Sequence, residues 1–166
     1  MSEHYASGPQ LALPYQIWTA ALADDALGID LDDAVTTSGD NVAVFDIPFK
    51  CRPIYAAIVL TETIASVTNT PCVKFTMRPT AGSDVGITAG DIATIYPTKT
   101  GVAGAVYYDK AAQASGADLW LEPGMEVVVE IDVVADNAAG GHFRPILVVE
   151  KLPETMANLD NMIETA

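Results

Sequence analysis

Positive charge is what this chain has least of. Eight lysines and arginines stand against 22 aspartates and glutamates in 166 residues, no basic residue precedes Lys50, and the formal net charge is −14. A surface with that balance repels phosphate backbones and anionic membranes, so neither nucleic acid nor a membrane is expected as a partner. Long apolar runs are also missing: the most apolar stretches, such as Val127 to Val134, are broken by charges every few residues, which excludes a membrane-spanning helix. The first residues lack a basic region followed by a continuous apolar one, so no secretory signal peptide is expected.

Histidine and cysteine are nearly as scarce. His4 and His142 are the two histidines, Cys51 and Cys72 the two cysteines, and Gly-x-Ser-x-Gly is absent. Zinc sites need such ligands clustered at short spacings, and these four residues are far apart in sequence. His142 follows Gly140-Gly141 and reads as an exposed residue of a glycine-rich hairpin rather than a base. The cysteines lie in strand-like surroundings that favour buried, reduced thiols, with a Cys51–Cys72 bridge left open. Asp24-Asp25 and Asp30-Leu31-Asp32-Asp33 carry oxygen ligands, but the glycine and glutamate of a calcium-binding EF-hand loop are missing at their offsets, so the stretch reads as a solvated acidic loop. No Walker A loop or dinucleotide fingerprint occurs, and no cofactor or metal is expected.

What is present is β pattern. Tyr15 to Leu22 reads as a first strand, Val42 to Phe49 as a second with Pro48 marking an edge, and Ile54 to Ile64 as a strand buried on both faces. Cys72 to Arg78 alternates, with Lys74, Thr76 and Arg78 on one side and Val73, Phe75 and Met77 on the other. Pro79 to Gly90 reads as a loop, Asp91 to Tyr96 as a short strand or one helical turn, Val102 to Asp109 as a strand, and Lys110 to Ser115 as a short helix ended by Gly116.

The clearest stretch runs from Leu121 to Leu152. A Pro123-Gly124 turn leads into Met125, Val127, Val129, Ile131 and Val133 alternating with Glu126, Val128, Glu130 and Asp132. After the loop 135–141, a second strand covers Phe143 to Glu150. Its carboxylates are explained by a strand with one wet face, so no glycosidase pair is needed.

Short strands separated by Gly, Pro and Asn turns, with almost no helical periodicity, predict a mainly β protein: an antiparallel, jelly-roll-like β-sandwich over residues 15–152, with an extended N-terminal arm (1–14) and a C-terminal tail (153–166). A chain of this length buries roughly two thirds of its unfolded surface, enough for one core without metals or disulfides.

The run Leu121-Glu-Pro-Gly-Met-Glu-Val-Val-Val-Glu-Ile, the strand Arg144-Pro-Ile-Leu-Val-Val-Glu and the tail Leu152-Pro-Glu-Thr-Met-Ala-Asn-Leu-Asp-Asn-Met resemble small structural proteins of tailed bacteriophages, above all capsid decoration (cement) proteins. That resemblance covers the last third of the chain. It implies a non-enzymatic virion protein, made in the host cytoplasm, that binds the major capsid protein on the outside of the lattice and self-associates, as a trimer in many such proteins. Leu11, Leu13, Tyr15, Ile17 and Trp18 in the arm region, and Met156, Leu159 and Met162 in the tail, are the candidate partner-binding residues. Tail-associated virion proteins share the same features. A second reading starts from Trp18, Trp120, Tyr107 and Tyr108, which would suit a sugar-stacking platform in a carbohydrate-binding or adhesin-type sandwich.

Overall fold

The computed structural model describes residues 15–19, 27–31, 40–80, 90–111, 120–136 and 141–151, and every regular element among them is a strand. In chain order these are β1 Tyr15–Thr19, β2 Ile29–Asp30, β3 Asp40–Asp46, β4 Cys51–Leu60, β5 Cys72–Pro79, β6 Gly90–Ile95, β7 Val106–Lys110, β8 Met125–Val133 and β9 His142–Lys151. All the pairings between them are antiparallel.

Two sheets result. The first has the order β1-β9-β4-β7, with β2 also paired to β9, and the second has the order β3-β8-β5-β6. β1 pairs with the C-terminal half of β9 and β2 with its first residues, so together they act as one interrupted edge strand. The partners then nest: the first strand with the last, β3 with β8, β4 with β7, β5 with β6. That winding is the jelly roll.

It also corrects one expectation. The two strands between Leu121 and Leu152 are not a hairpin, because β8 is central in the second sheet while β9 is central in the first. Alternation along each strand reports only that one side is buried. It does not say which neighbour shares the ladder.

The core fills the space between the sheets. Ala56, Ile58, Leu60, Phe143, Leu147 and Val149 face inward from the first sheet, and Phe45, Val73, Phe75, Ile92, Val127, Val129 and Ile131 from the second. Phe45 stacks on Phe75 with ring centroids 6.3 Å apart. β8 behaves as its alternation predicts, and its acidic side is met by the basic side of β5. Glu126 lies opposite Arg78 at 2.5 Å and Asp132 binds Lys74 at 3.0 Å. The expected Pro123-Gly124 turn is present, with Gly124 at φ +95° and the Met125 amide donating to the Glu122 carbonyl at 3.0 Å, a type II arrangement.

Several local expectations shift. β1 ends at Thr19, with residues 20–22 outside the described set. Asp30 belongs to a strand, and Leu31 beside it is fully buried, so the acidic stretch is not loop throughout. The segment 91–96 resolves as a strand. Lys110 ends β7, and 112–119, where a short helix was expected, lie outside the described residues. Val102–Ala105 form a turn before β7. Cys51 and Cys72 are buried free thiols on different sheets. The N-terminal arm and the C-terminal tail also lie outside the described residues.

Candidate functional site

The sandwich has one closed side and one open side. β6 and β7 are joined across the sheets by the Thr94 amide donating to Asp109 Oδ2 at 3.2 Å. On the opposite side, the edge strands β1 and β3 leave a cleft of about 440 Å³ lined by Ile17, Trp18, Val44, Phe45 and Pro48. The Trp18 ring is partly buried against the core, meets Phe49 edge-on at 5.6 Å and lines the cleft.

The outer face of the first sheet carries the most unusual chemistry. Register places Ile17, Val148, Tyr55 and Lys110 in one row across β1, β9, β4 and β7, and Thr19, Ile146, Ala57 and Tyr108 in the next. A third row holds Arg144, Val59 and Val106. Residues opposite one another in a ladder point to the same side, so this is a continuous apolar surface facing away from the core. Ile17 is 71% exposed and Tyr108 69%, with Tyr15, Tyr55 and Val106 exposed as well. An antiparallel sheet normally puts polar residues on its wet side, and a contiguous apolar patch rimmed by polar groups marks a contact surface.

The strand β4 explains why it arises. Its sequence is apolar at nearly every position, which was read as burial on both faces, yet Tyr55 stands exposed and a bulge between Pro53 and Tyr55 shifts the register there. The outward side of β4 has no covering layer among the described residues.

Basic residues gather at this face. Lys110 and Arg144 lie on it, Arg52 lies on it paired with Glu150, and Lys50 stands at its rim, whereas Lys151, opposite the buried Cys51, is on the inward side. Lys50 Nζ is 5.6 Å from the Trp120 ring centroid, and Lys151 Nζ is 5.2 Å from that of Phe49. Four of the chain's eight cations therefore lie on or beside this face, one of them paired with Glu150.

The aromatic platform imagined from sequence does not assemble. Tyr107 and Tyr108 are neighbours on a strand and point to opposite sides, Tyr107 inward with its hydroxyl 2.8 Å from Thr98 Oγ1. Trp18 is on the far edge of the sheet, and Trp120 sits beside Lys50. The aromatic contact present on the outer face is Tyr55 with Tyr108, centroids 5.9 Å apart and rings at 85°. Sequence reading missed Tyr55. Its signal was an aromatic residue breaking an otherwise aliphatic run.

His142 is not an exposed hairpin residue. It opens β9, its side chain is largely buried, Nδ1 lies 2.5 Å from Glu62 Oε2, and Nε2 is 3.9 Å from Asp30 Oδ2. Two carboxylates from different segments thus bracket one ring and hold β2, β9 and the chain after β4 together. Asp136 plays a similar part near the exit of β8. It accepts hydrogen bonds from Ser66 Oγ at 2.5 Å and from the Val67 and Thr68 amides at 2.7 and 2.6 Å. These bonds, the Ser66 hydroxyl first, hold its carboxyl well below the usual carboxylate range.

Of the candidate partner-binding residues, Tyr15 and Ile17 stand exposed at the β1 edge of the apolar face. Leu11, Leu13, Met156, Leu159 and Met162 lie outside the described residues.

No protein-family model matches the chain, and no curated protein matches it. Among solved structures, the chain is similar to one from Clostridium thermocellum, the CBM22-1 and GH10 modules of endo-1,4-β-D-xylanase 10B complexed with xylohexaose. The identity is 10% and the TM-score 0.40, over 86% of this chain and 27% of that one. The chain spans about a quarter of that structure's length. The jelly roll stands on the strand order and pairing of the protein itself.

Proposed function

We propose that this protein is a non-enzymatic assembly module that self-associates through the outer face of its first sheet and decorates the outside of a bacteriophage capsid lattice. The observation that carries the assembly role is the apolar face spanning β1, β9, β4 and β7. Burying such a face is favourable at roughly 25 cal/mol per Å² of apolar surface, and a second protein surface can do so with little loss of order because the sheet beneath is rigid. The capsid as destination comes from the C-terminal resemblance to decoration proteins. Self-association supports it physically, since weak lattice contacts repeated in one oligomer reinforce each other by about 10²–10⁴-fold.

The exposed Tyr55 and Tyr108 also suit a carbohydrate, but perpendicular rings do not form the flat platform on which one sugar face stacks. Protein contact is therefore the better reading. Titration of the purified chain onto undecorated capsid shells is expected to give saturable binding that the Tyr108→Asp variant weakens. Absence of saturable binding by the wild-type chain would remove the capsid role. Glycan-array hits abolished by Tyr108→Ala would move the function to carbohydrate recognition.

A further inference from the structure

The apolar face has a natural occupant in the chain itself. We infer that it receives the C-terminal segment, residues 152–166, of a second copy, so that each protomer offers a face and a tail and the copies join head to tail. This rests on the assembly reading above and names the partner at that same face.

Charge is the first argument. The segment carries Glu154, Asp160 and Glu164 and no basic residue, while Lys50, Lys110 and Arg144 lie on or beside the face in addition to Arg52, which pairs with Glu150. The arm 1–14 is a poorer match, with Glu3 as its single acid. Apolar content is the second: Met156, Leu159, Met162 and Ile163 recur at near-helical spacing, which gives the segment one apolar stripe and one acidic side. A peptide of that length is marginal as an isolated helix in water and gains its order from a surface that covers the stripe.

Reach and direction decide between the protomer's own face and a neighbour's. The segment starts where β9 ends, at Lys151, on the rim of the face. Leu152 precedes a proline, which disfavours helical geometry at that position of the sequence. No glycine follows to support a tight reversal onto the same face. Fifteen residues span up to about 50 Å when extended, against roughly 33 Å for the ten-residue strands of the face, so a neighbouring copy lies within range.

The test uses full-length chains in sedimentation velocity. Wild type is expected to sediment as an oligomer, and both the tail variant Leu159→Asp/Met162→Asp and the face variant Ile17→Asp/Tyr108→Asp as monomers. An equimolar mixture of the two variants is expected to form a one-to-one dimer, because one retains a face and the other a tail. That recovery also proves both variants folded. If the face variant fails to fold, Lys110→Glu takes its place and is expected to weaken association at least threefold. An oligomer unchanged in the tail variant overturns the inference, as does dissociation by Leu11→Asp/Leu13→Asp instead. A monomeric wild type overturns it too. In the first two cases, saturable capsid binding by the wild-type chain leaves the assembly reading standing, and its loss removes that reading separately; a monomeric wild type removes the self-association of that reading as well.

Discussion

Single residues here carry more than their exposure suggests. Asp136 gathers Ser66, Val67 and Thr68 around one carboxylate, and its proton affinity is lowered by doing so. A carboxyl depressed in the folded state contributes stability above its unfolded value of about 3.9 and loses it as pH falls through the folded value. Asp136→Asn should therefore lower the denaturant midpoint at neutral pH, and the gap from wild type should narrow between about pH 5 and pH 2. Parallel curves across that range would contradict the role. Burial pushes the Cys51 thiol up to about 12 and raises that of Cys72 as well. The thiolate is the reactive form. A thiol reagent near neutral pH should thus release no colour from the native protein and report both cysteines once denaturant is added.

At the scale of elements, the short strand β2 depends on how the chain enters it. Gly28 has φ +119°, and a Cβ there would lie 2.5 Å from the Phe143 carbonyl oxygen. Gly28→Ala should cost about 1–3 kcal/mol in unfolding free energy. In the second sheet, Phe75 is fully buried and stacked on Phe45, so Phe75→Ala should cost about 3–5 kcal/mol. Val67→Ala, at an exposed site, should stay within roughly 0.5 kcal/mol of wild type. Chemical unfolding of the three variants checks both claims.

The same elements show what a linear reading can see. β5 and β8 were legible because each alternates cleanly, and even their complementary charges were visible as Lys74 and Arg78 on one strand and Glu126 and Asp132 on another. β2 was not, since the two residues Ile29 and Asp30 are too few to show a period, and their strand character comes from β9. The apolar face was missed for a different reason. In β4 and β9 both sides are apolar, and sequence cannot tell a side covered by a second layer from one left open. Tyr55 was therefore read as buried with the rest of its strand and Ile146 and Val148 were given no side, although Tyr15 and Ile17 at the edge of the same face were singled out. His142 was misplaced because the glycines before it suggested a turn, while its real neighbours, Glu62 and Asp30, are distant in sequence.

For the molecule as a whole, charge of −14 with few cations makes self-repulsion a general load on the folded state. Exposed ion pairs such as Lys74–Asp132 are screened by solvent and salt and offset little of it. Screening should therefore raise the melting temperature as salt goes from about 10 mM to about 1 M, over which the Debye length falls from roughly 30 Å to 3 Å. A fall would mean that the ion pairs outweigh the repulsion. Topology sets the rate of folding in the same global way. Nearly every ladder joins segments far apart in sequence, so refolding by stopped flow should take milliseconds to seconds rather than microseconds.

The nested winding has one more consequence, for the protein as it is made. β8 and β9 leave the ribosome after all the other described strands, yet each is a central strand of its sheet. Until they emerge, β1, β2 and β3 have no ladder to join, and only β4 with β7 and β5 with β6 can pair. Neither sheet can close on a nascent or prematurely ended chain. Synthesis through Lys151 is thus a condition for burial of the core, and a product stopped before His142 would present open strand edges to cellular quality control.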